Sequence, residues 1–513
     1  GDVTGDGDGD VTGDGDGDGD NEITNNKPEV TIDSIDDFIT SGTAISGTAT
    51  DLDNELLTYQ WTELSGHGIS FSDSTALTTN VLYTGFEDGV AVIEVTVRFS
   101  ASDGIDTTYK EATFKIYRTD YLYFSKGATG DGLSPANPKG ATGPDINSAI
   151  NEAKISGLKA VAISEGTYEV TYAETDGTHV QMKDGVSLYG GYSSSTFLRN
   201  RAQYITTIKD MSHDIGEAVN NPSRTVELLS GTSPLNIIDG FTLIAGTDDS
   251  TGAASVIFCK KDTTDISISI SNNIITTQDN NFADLNGIII FDVAATIKYN
   301  EIVLKSLINN GSGNNSNNRA IYIRGEGNCS ISNNEVSLGS AISTTDGHYA
   351  RSVGFFLTHY TGDITIFNNT IEGGYAHSSP DPSYTGIYDI FMHNSNFANI
   401  SIYNNTLICI QDGSIGYTAN IYIVYSNPTI INNLLYISGT DTSEAYNISE
   451  GGMDSDPFIV QNNGFYNDIN GYFYYDYSTH VPIYGLFQSI YNEPDGSGTL
   501  SNWGNRTIDS SDL

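Results

Sequence analysis

Between Ile266 and Phe465 one short phrase recurs seven times, and its period leaves few architectures open. The phrases are Ser-Asn-Asn-Ile-Ile ending at Ile275 and Tyr-Asn-Glu-Ile ending at Ile302, then Asn-Asn-Glu-Val, Asn-Asn-Thr-Ile, Asn-Asn-Thr-Leu, Asn-Asn-Leu-Leu and Asn-Asn-Gly-Phe. The shared Asn falls at 273, 300, 334, 369, 405, 433 and 463, a spacing of 27 to 36 residues. Repeats of that length mark a solenoid. Five and three residues before the Asn stand apolar pairs such as Ile268 with Ile270 and Ile364 with Ile366. Two residues after it stand Ile275, Ile302, Val336, Ile371, Leu407, Leu435 and Phe465. Ser, Thr and Lys lie between. Period two with one apolar phase reads as a short strand, a corner at the Asn, and another short strand. Asn suits the corner because its short amide tolerates a left-handed backbone. Its stacked amides can also hydrogen-bond from coil to coil.

A further strand precedes each corner by about a dozen residues: Gly287–Phe291, Ala320–Arg324, Gly354–Thr358, Tyr388–Met392 and Asn420–Val424. Two or three strands per coil with loops of variable length describe a parallel β-helix, in which each coil buries its apolar face on its neighbours. The phrases Asn-Asn-Thr-Ile and Ile-Asp-Gly-Phe-Thr-Leu (238–243) resemble those of bacterial right-handed parallel β-helix repeat proteins of the pectate-lyase-like superfamily. The resemblance covers Tyr121 to the end. It implies the fold, whereas lyases, hydrolases, epimerases, tailspikes and adhesins all share that fold.

The remaining segments complete an all-β reading. Residues 1–27 alternate Gly and Asp and bury nothing apolar, so a disordered, charge-extended tether is expected. Asp14, Asp16 and Asp18 match the first half of a calcium loop, but Asn25 stands where a bidentate Glu is needed. Such runs resemble the segment after the lipidated cysteine of surface lipoproteins, which implies a lipid anchor upstream of the tether. Residues 28–118 carry short alternating strands and read as a β-sandwich. Leu57-Thr-Tyr-Gln-Trp61-Thr and Val95-Thr-Val-Arg resemble PKD and related Ig-like modules, in which the Trp is core. Asp51 and Asp53 are candidate calcium ligands at its edge, or a solvated turn; no other cofactor is expected. From residue 119 to 513 the β-helix follows. Ile146, Ala149, Ile150 and Ala153 share one helical face, and a helix there would cap the first coil. The segment from Asn502 reads as the lead-in to a further coil.

Charge excludes some partners. With 22 basic and 65 acidic residues the net charge is −43, so nucleic acid and anionic membrane would be repelled. No apolar run is long enough to span a bilayer. Cys259, Cys329 and Cys409 are dispersed and odd in number, which fits buried hydrophobes rather than disulfides or a metal site. Abundant Gly, Asn, Ser, Thr and Tyr fit a secreted bacterial β protein on the cell surface.

Two groups are candidates for function. Tyr322, Phe356 and Tyr422 share the outward phase of the strand before the corner, with Phe391 near it. Coils stack at roughly 4.8 Å, so these rings would form a stripe suited to sugar rings. At the ends of the same strands stand Asp292, Arg324, His359 and His393. A lyase or epimerase needs a base and a cation for the substrate carboxylate, and Arg324 and His359 are of those types. The paired carboxylates of a glycosidase are not evident. The expectation is therefore a rigid surface scaffold that binds glycan or another surface protein. The alternative is a lyase or hydrolase acting on an acidic polysaccharide.

Overall fold

The computed structural model describes residues 25–140, 146–172, 177–212, 222–229, 235–247, 252–261, 266–279, 284–309, 315–344, 348–378, 385–395, 398–411, 416–439, 444–469 except 453 and 456, and 472–477, with strand backbone alone at 309, 411, 481–484, 491–492, 498–499 and 506–507. Asp14, Asp16, Asp18 and most of the segment from Asn502 lie outside the described residues. The chain divides into two compact units. One runs to Gly85 and resumes at Glu94–Ile116; the other comprises Phe86–Ile93 and the chain from Tyr117.

The smaller unit is built on two four-stranded sheets. Glu29–Ile32, Ala44–Thr50, Thr78–Leu82 and Ser70–Phe71 form one. Phe38–Ile39, Thr107–Tyr117, Val92–Ser102 and Thr58–Glu63 form the other. Val95, Val97, Phe99 and Ala101 alternate inward along one strand. Trp61 fills the space between, 4.6 Å from the Phe99 ring, and its indole N–H donates to the Ala76 carbonyl at 2.9 Å. That is the core role expected of Trp61 from its likeness to Ig-like modules.

The larger unit is a parallel β-helix of three long sheets. Each coil visits them in the same order. The first sheet includes Ser267–Ser271, Ala294–Lys298, Cys329–Ser332, Ile364–Phe367, Ile400–Tyr403 and Thr429–Ile431. The second, just past the Asn corner, includes Ile274–Thr276, Glu301–Val303, Glu335–Ser343, Thr370–Ser378, Thr406–Gln411 and Leu434–Gly439. The third includes Ser223–Leu228, Ala253–Lys260, Asp284–Phe291, Ser316–Gly325, Ala350–Tyr360, Thr385–His393, Tyr417–Val424 and Ala445–Glu450. Like residues stack in register: Ile270 on Ile297, Ile331, Ile366, Ile402 and Ile430, and Ile275 on Ile302, Val336, Ile371, Leu407 and Leu435. Together with Ile288, Ile321, Phe355, Ile390, Ile421 and Ile448 they make one continuous apolar core. The helix Ile146–Ile155 packs Ile146, Ala149, Ile150 and Ala153 into the same core.

The corner divides its work between two adjacent residues. Asn272, Tyr299, Asn333, Asn368, Asn404, Asn432 and Asn462 hold the left-handed backbone, with φ between 54° and 57°. The sequence reading gave that role to the Asn that follows. That second Asn is instead buried and forms the ladder. The Asn369 side-chain amide donates to Asn405 Oδ1 at 3.0 Å and to the Ile331 carbonyl at 2.9 Å. Its own oxygen accepts the backbone and side-chain N–H of Asn334 at 3.0 and 2.9 Å. The same pattern runs from Asn273 to Asn463. A side chain needed on both sides of its coil cannot be another type without orphaning a buried polar group.

Candidate functional site

The site is built on the outer face of the third sheet. Pairing places Tyr322, Phe356, Phe391 and Tyr422 in one column, with Ile289 before them and Ser449 after. Successive centroids are 5.2, 4.9 and 5.0 Å apart. This is not an open stripe. Tyr322 is 6 % and Phe391 7 % exposed, because each ring covers the next and arginines cover the rest. The Arg319 guanidinium lies 4.9 Å from Tyr322 and 5.2 Å from Phe356, pairs with Asp284 at 3.4 Å and donates to Asn286 Oδ1.

The face opens into a bowl. A cavity of about 510 Å³ is walled by Phe356, Phe391, Tyr388, Tyr422 and Tyr417, with Arg351 and His393 at its margin. Tyr388 stacks on Tyr422 at 5.1 Å and meets Phe391 at 5.0 Å. Its place was not legible from alternation. Between the outward Tyr388 and Phe391, both Asp389 and Ile390 point inward, so the strand breaks period two. The break recurs within each strand in the column Gly287, Ala320, Gly354, Asp389, Asn420, Asn447. Gly287 has no room for a Cβ, which would sit 2.6 Å from the Ala320 carbonyl oxygen.

Arg351 reaches the bowl across Tyr349, 4.3 Å from its ring, and lies 5.9 Å from Phe391. His393 has its pKa lowered, first by burial and then by the nearby His359 and Arg351, so it is neutral at pH 7. Its ring meets His359 at 5.6 Å.

A second cavity, of about 490 Å³, lies at the corner between the third and first sheets. It brings together three of the four chemical candidates: Asp292, Arg324 and His359 line it with Lys260 and Phe291. His393 belongs to the bowl instead. Asp292 and His359 have φ of 57° and 49°, and Asn394 and Tyr425 continue the same corner at 51° and 49°. Asp, Asn and His are the residues that tolerate this backbone best, so the corner alone accounts for their types. His359 is held by Thr358 Oγ1 at 2.7 Å from Nδ1 and by the Asn394 amide at 3.2 Å from Nε2. Asp292 accepts the backbone N–H of Glu326 at 3.1 Å. Among the described residues lining this cavity Asp292 is the one carboxylate, so acid–base hydrolysis by a carboxylate pair has no second member here.

The calcium candidates regroup. Asp51, Glu55 and Asp103 bring one carboxylate oxygen each within 4.8 Å of one another. Asp53 turns away to accept the Asn26 amides at 2.6 and 2.9 Å. The Glu55 pKa is raised by partial desolvation and by Asp103, Asp51 and Asp53 around it. These three residues are the ones that could hold a cation. All three cysteines are free and buried.

Compared with family models, with curated proteins and with solved structures, the chain matches none.

Proposed function

We propose that this is an exported, surface-held scaffold whose β-helix presents the outer face of the third sheet to glycan. The bowl among Tyr388, Phe391 and Tyr422 is the site. The observation that carries this reading is the cavity itself: a concave, ring-walled opening of ligand size on a rigid sheet. Sugar rings present C–H faces that pack on aromatic faces, while the rim supplies polar contacts. The acidic, Gly-Asp-rich sequence supports a surface location and, at its start, a tether or lipid anchor. The strand pattern around Trp61 supports grouping the smaller unit with PKD-like modules, and the Asn repeat supports grouping the larger with pectate-lyase-like β-helices. No helix among the described residues is long and apolar enough to cross a membrane.

The test is a glycan array probed with the full chain and with Tyr422→Ala. Glycan binding that the substitution weakens at least tenfold supports the reading. Binding to no glycan, or binding that Tyr422→Ala leaves intact, removes it; capture of a surface protein on the same face would favour a protein partner. A second reading has its own observation, the convergence of Asp292, Arg324 and His359 on one cavity. There Arg324 would hold the carboxylate of an acidic polysaccharide and the His359 imidazole would take the α-proton as the glycosidic oxygen leaves. Release of unsaturated uronate or of reducing ends, abolished by Arg324→Ala, would establish a lyase or hydrolase.

A further inference from the structure

The arginines of the β-helix beyond residue 202 are not scattered over its sheets. Every arginine between residues 202 and 505, namely Arg224, Arg319, Arg324 and Arg351, lies on a strand of the third sheet. Arg224 pairs with Glu227 at 2.7 Å and Arg319 with Asp284 at 3.4 Å. Arg324 interacts with the Tyr322 hydroxyl. Arg351 differs from all three. Among the described residues it has ring contacts and no carboxylate partner or hydrogen-bond acceptor. It is also the last Lys or Arg before Arg506. A half-buried guanidinium without a counter-ion among the described residues, in a chain of net charge −43, is an unusual expense of desolvation. Stacking on Tyr349 fixes its plane at the mouth of the bowl and leaves its N–H edge unused.

Resting on the glycan reading above, we infer that the bowl takes an anionic sugar unit, with the anionic group on Arg351 and the ring against Tyr388, Phe391 and Tyr422. The bowl spans three coils, from the Arg351 strand to the Tyr422 strand, or roughly 10 Å along the axis. That length holds one or two sugar rings. Planar carboxylate and tetrahedral sulfate both match the guanidinium fork. Net repulsion from the rest of the chain keeps simple anions away, so affinity must come from ring contact and the single cation together.

The test uses calorimetry on the full chain with four trisaccharide probes: a galacturonate, its methyl ester, the galactose counterpart and a sulfated galactose. The acid or the sulfate should bind at least tenfold tighter than the two neutral probes, with the gap narrowing as salt rises. Arg351→Gln should weaken the acid and the sulfate at least tenfold more than the two neutral probes; Arg351→Lys should restore part of the gap. A preference between acid and sulfate identifies the anion. Equal binding of acid and methyl ester overturns the inference while leaving the glycan reading in place. So does Arg351→Gln lowering all four alike. Binding of none of the four, acid and sulfate included, overturns both. If Arg351→Gln does not fold, the charge series on the unaltered chain still decides.

Discussion

Asp389 offers the sharpest physical test of how this β-helix is held. It is 0 % exposed, and burial raises its pKa from 3.8 to about 8. Asn420 donates to its Oδ2 at 2.7 Å and the Cys409 thiol at 3.3 Å, while Oδ1 has no partner. The carboxyl is therefore protonated in the folded chain at pH 7 and ionised in the unfolded one. Its folded pKa is the higher, so the unfolded state binds fewer protons and stability falls as pH rises from about 3.8 towards about 8. At pH 7 the gap is about three units at ~1.4 kcal/mol each, a ceiling of roughly 4 kcal/mol. Asp389→Asn keeps the volume and the acceptor for Asn420, and removes the charge. The variant should match the wild type near pH 4 and exceed it increasingly towards pH 8. Solenoid coils couple chiefly to their neighbours, so the gain should concentrate in the strands around 385–393 and 417–424. Hydrogen exchange at pH 5 and 7.5, with denaturant midpoints at the same values, reads both. Parallel pH profiles for the two proteins would refute the argument, since the other carboxylates are common to both and cancel.

Three more predictions follow from the same geometry. Asn369→Ala orphans the Asn334 amide and the Ile331 carbonyl and should cost roughly 3 kcal/mol in denaturant midpoints, whereas Asn368→Ala should cost about 1 kcal/mol through backbone strain and Asn368→Gly nothing. Phe391→Ala should destabilise by about 2–4 kcal/mol, close to Ile323→Ala at about 2–5 kcal/mol, because both are buried; a silent Phe391→Ala would mean the outer face is open after all. Binding of an acidic sugar should tighten as pH falls below 6.5, as His393 gains a proton among Arg351, His359, Thr358 and the rings of Phe391 and Tyr425; calorimetry at pH 5 and 7.5 checks it, and His393→Gln should flatten it.

The Asn repeat made the coil, its register and its inward columns legible before any coordinates, because burial on one side of a strand forces period two and a shared corner forces a shared side chain. The capping helix was legible for the same reason, as one local pattern with one apolar face, whereas the core place of Trp61 was expected from the resemblance to Ig-like modules. Alternation also put Tyr322, Phe356 and Tyr422 on the outer face. It did not show that stacking would bury Tyr322 and half-bury Phe356 and Tyr422, since burial by a neighbour 30 residues away is a property of the stack and not of the strand. Nor did it show Tyr388 and Arg351. Tyr388 escapes the pattern because two successive residues within its strand, Asp389 and Ile390, turn inward. Arg351 has no local signature at all, as its lack of a counter-ion among the described residues depends on every strand that might have supplied one. The corner divided a role that sequence assigned to a single residue, because a left-handed backbone and a buried amide ladder each need a position of their own. Sequence thus determined what each coil buries. Only the stacking of coils decided what its outer face leaves open, because that opening is made by side chains brought together from three turns of the chain.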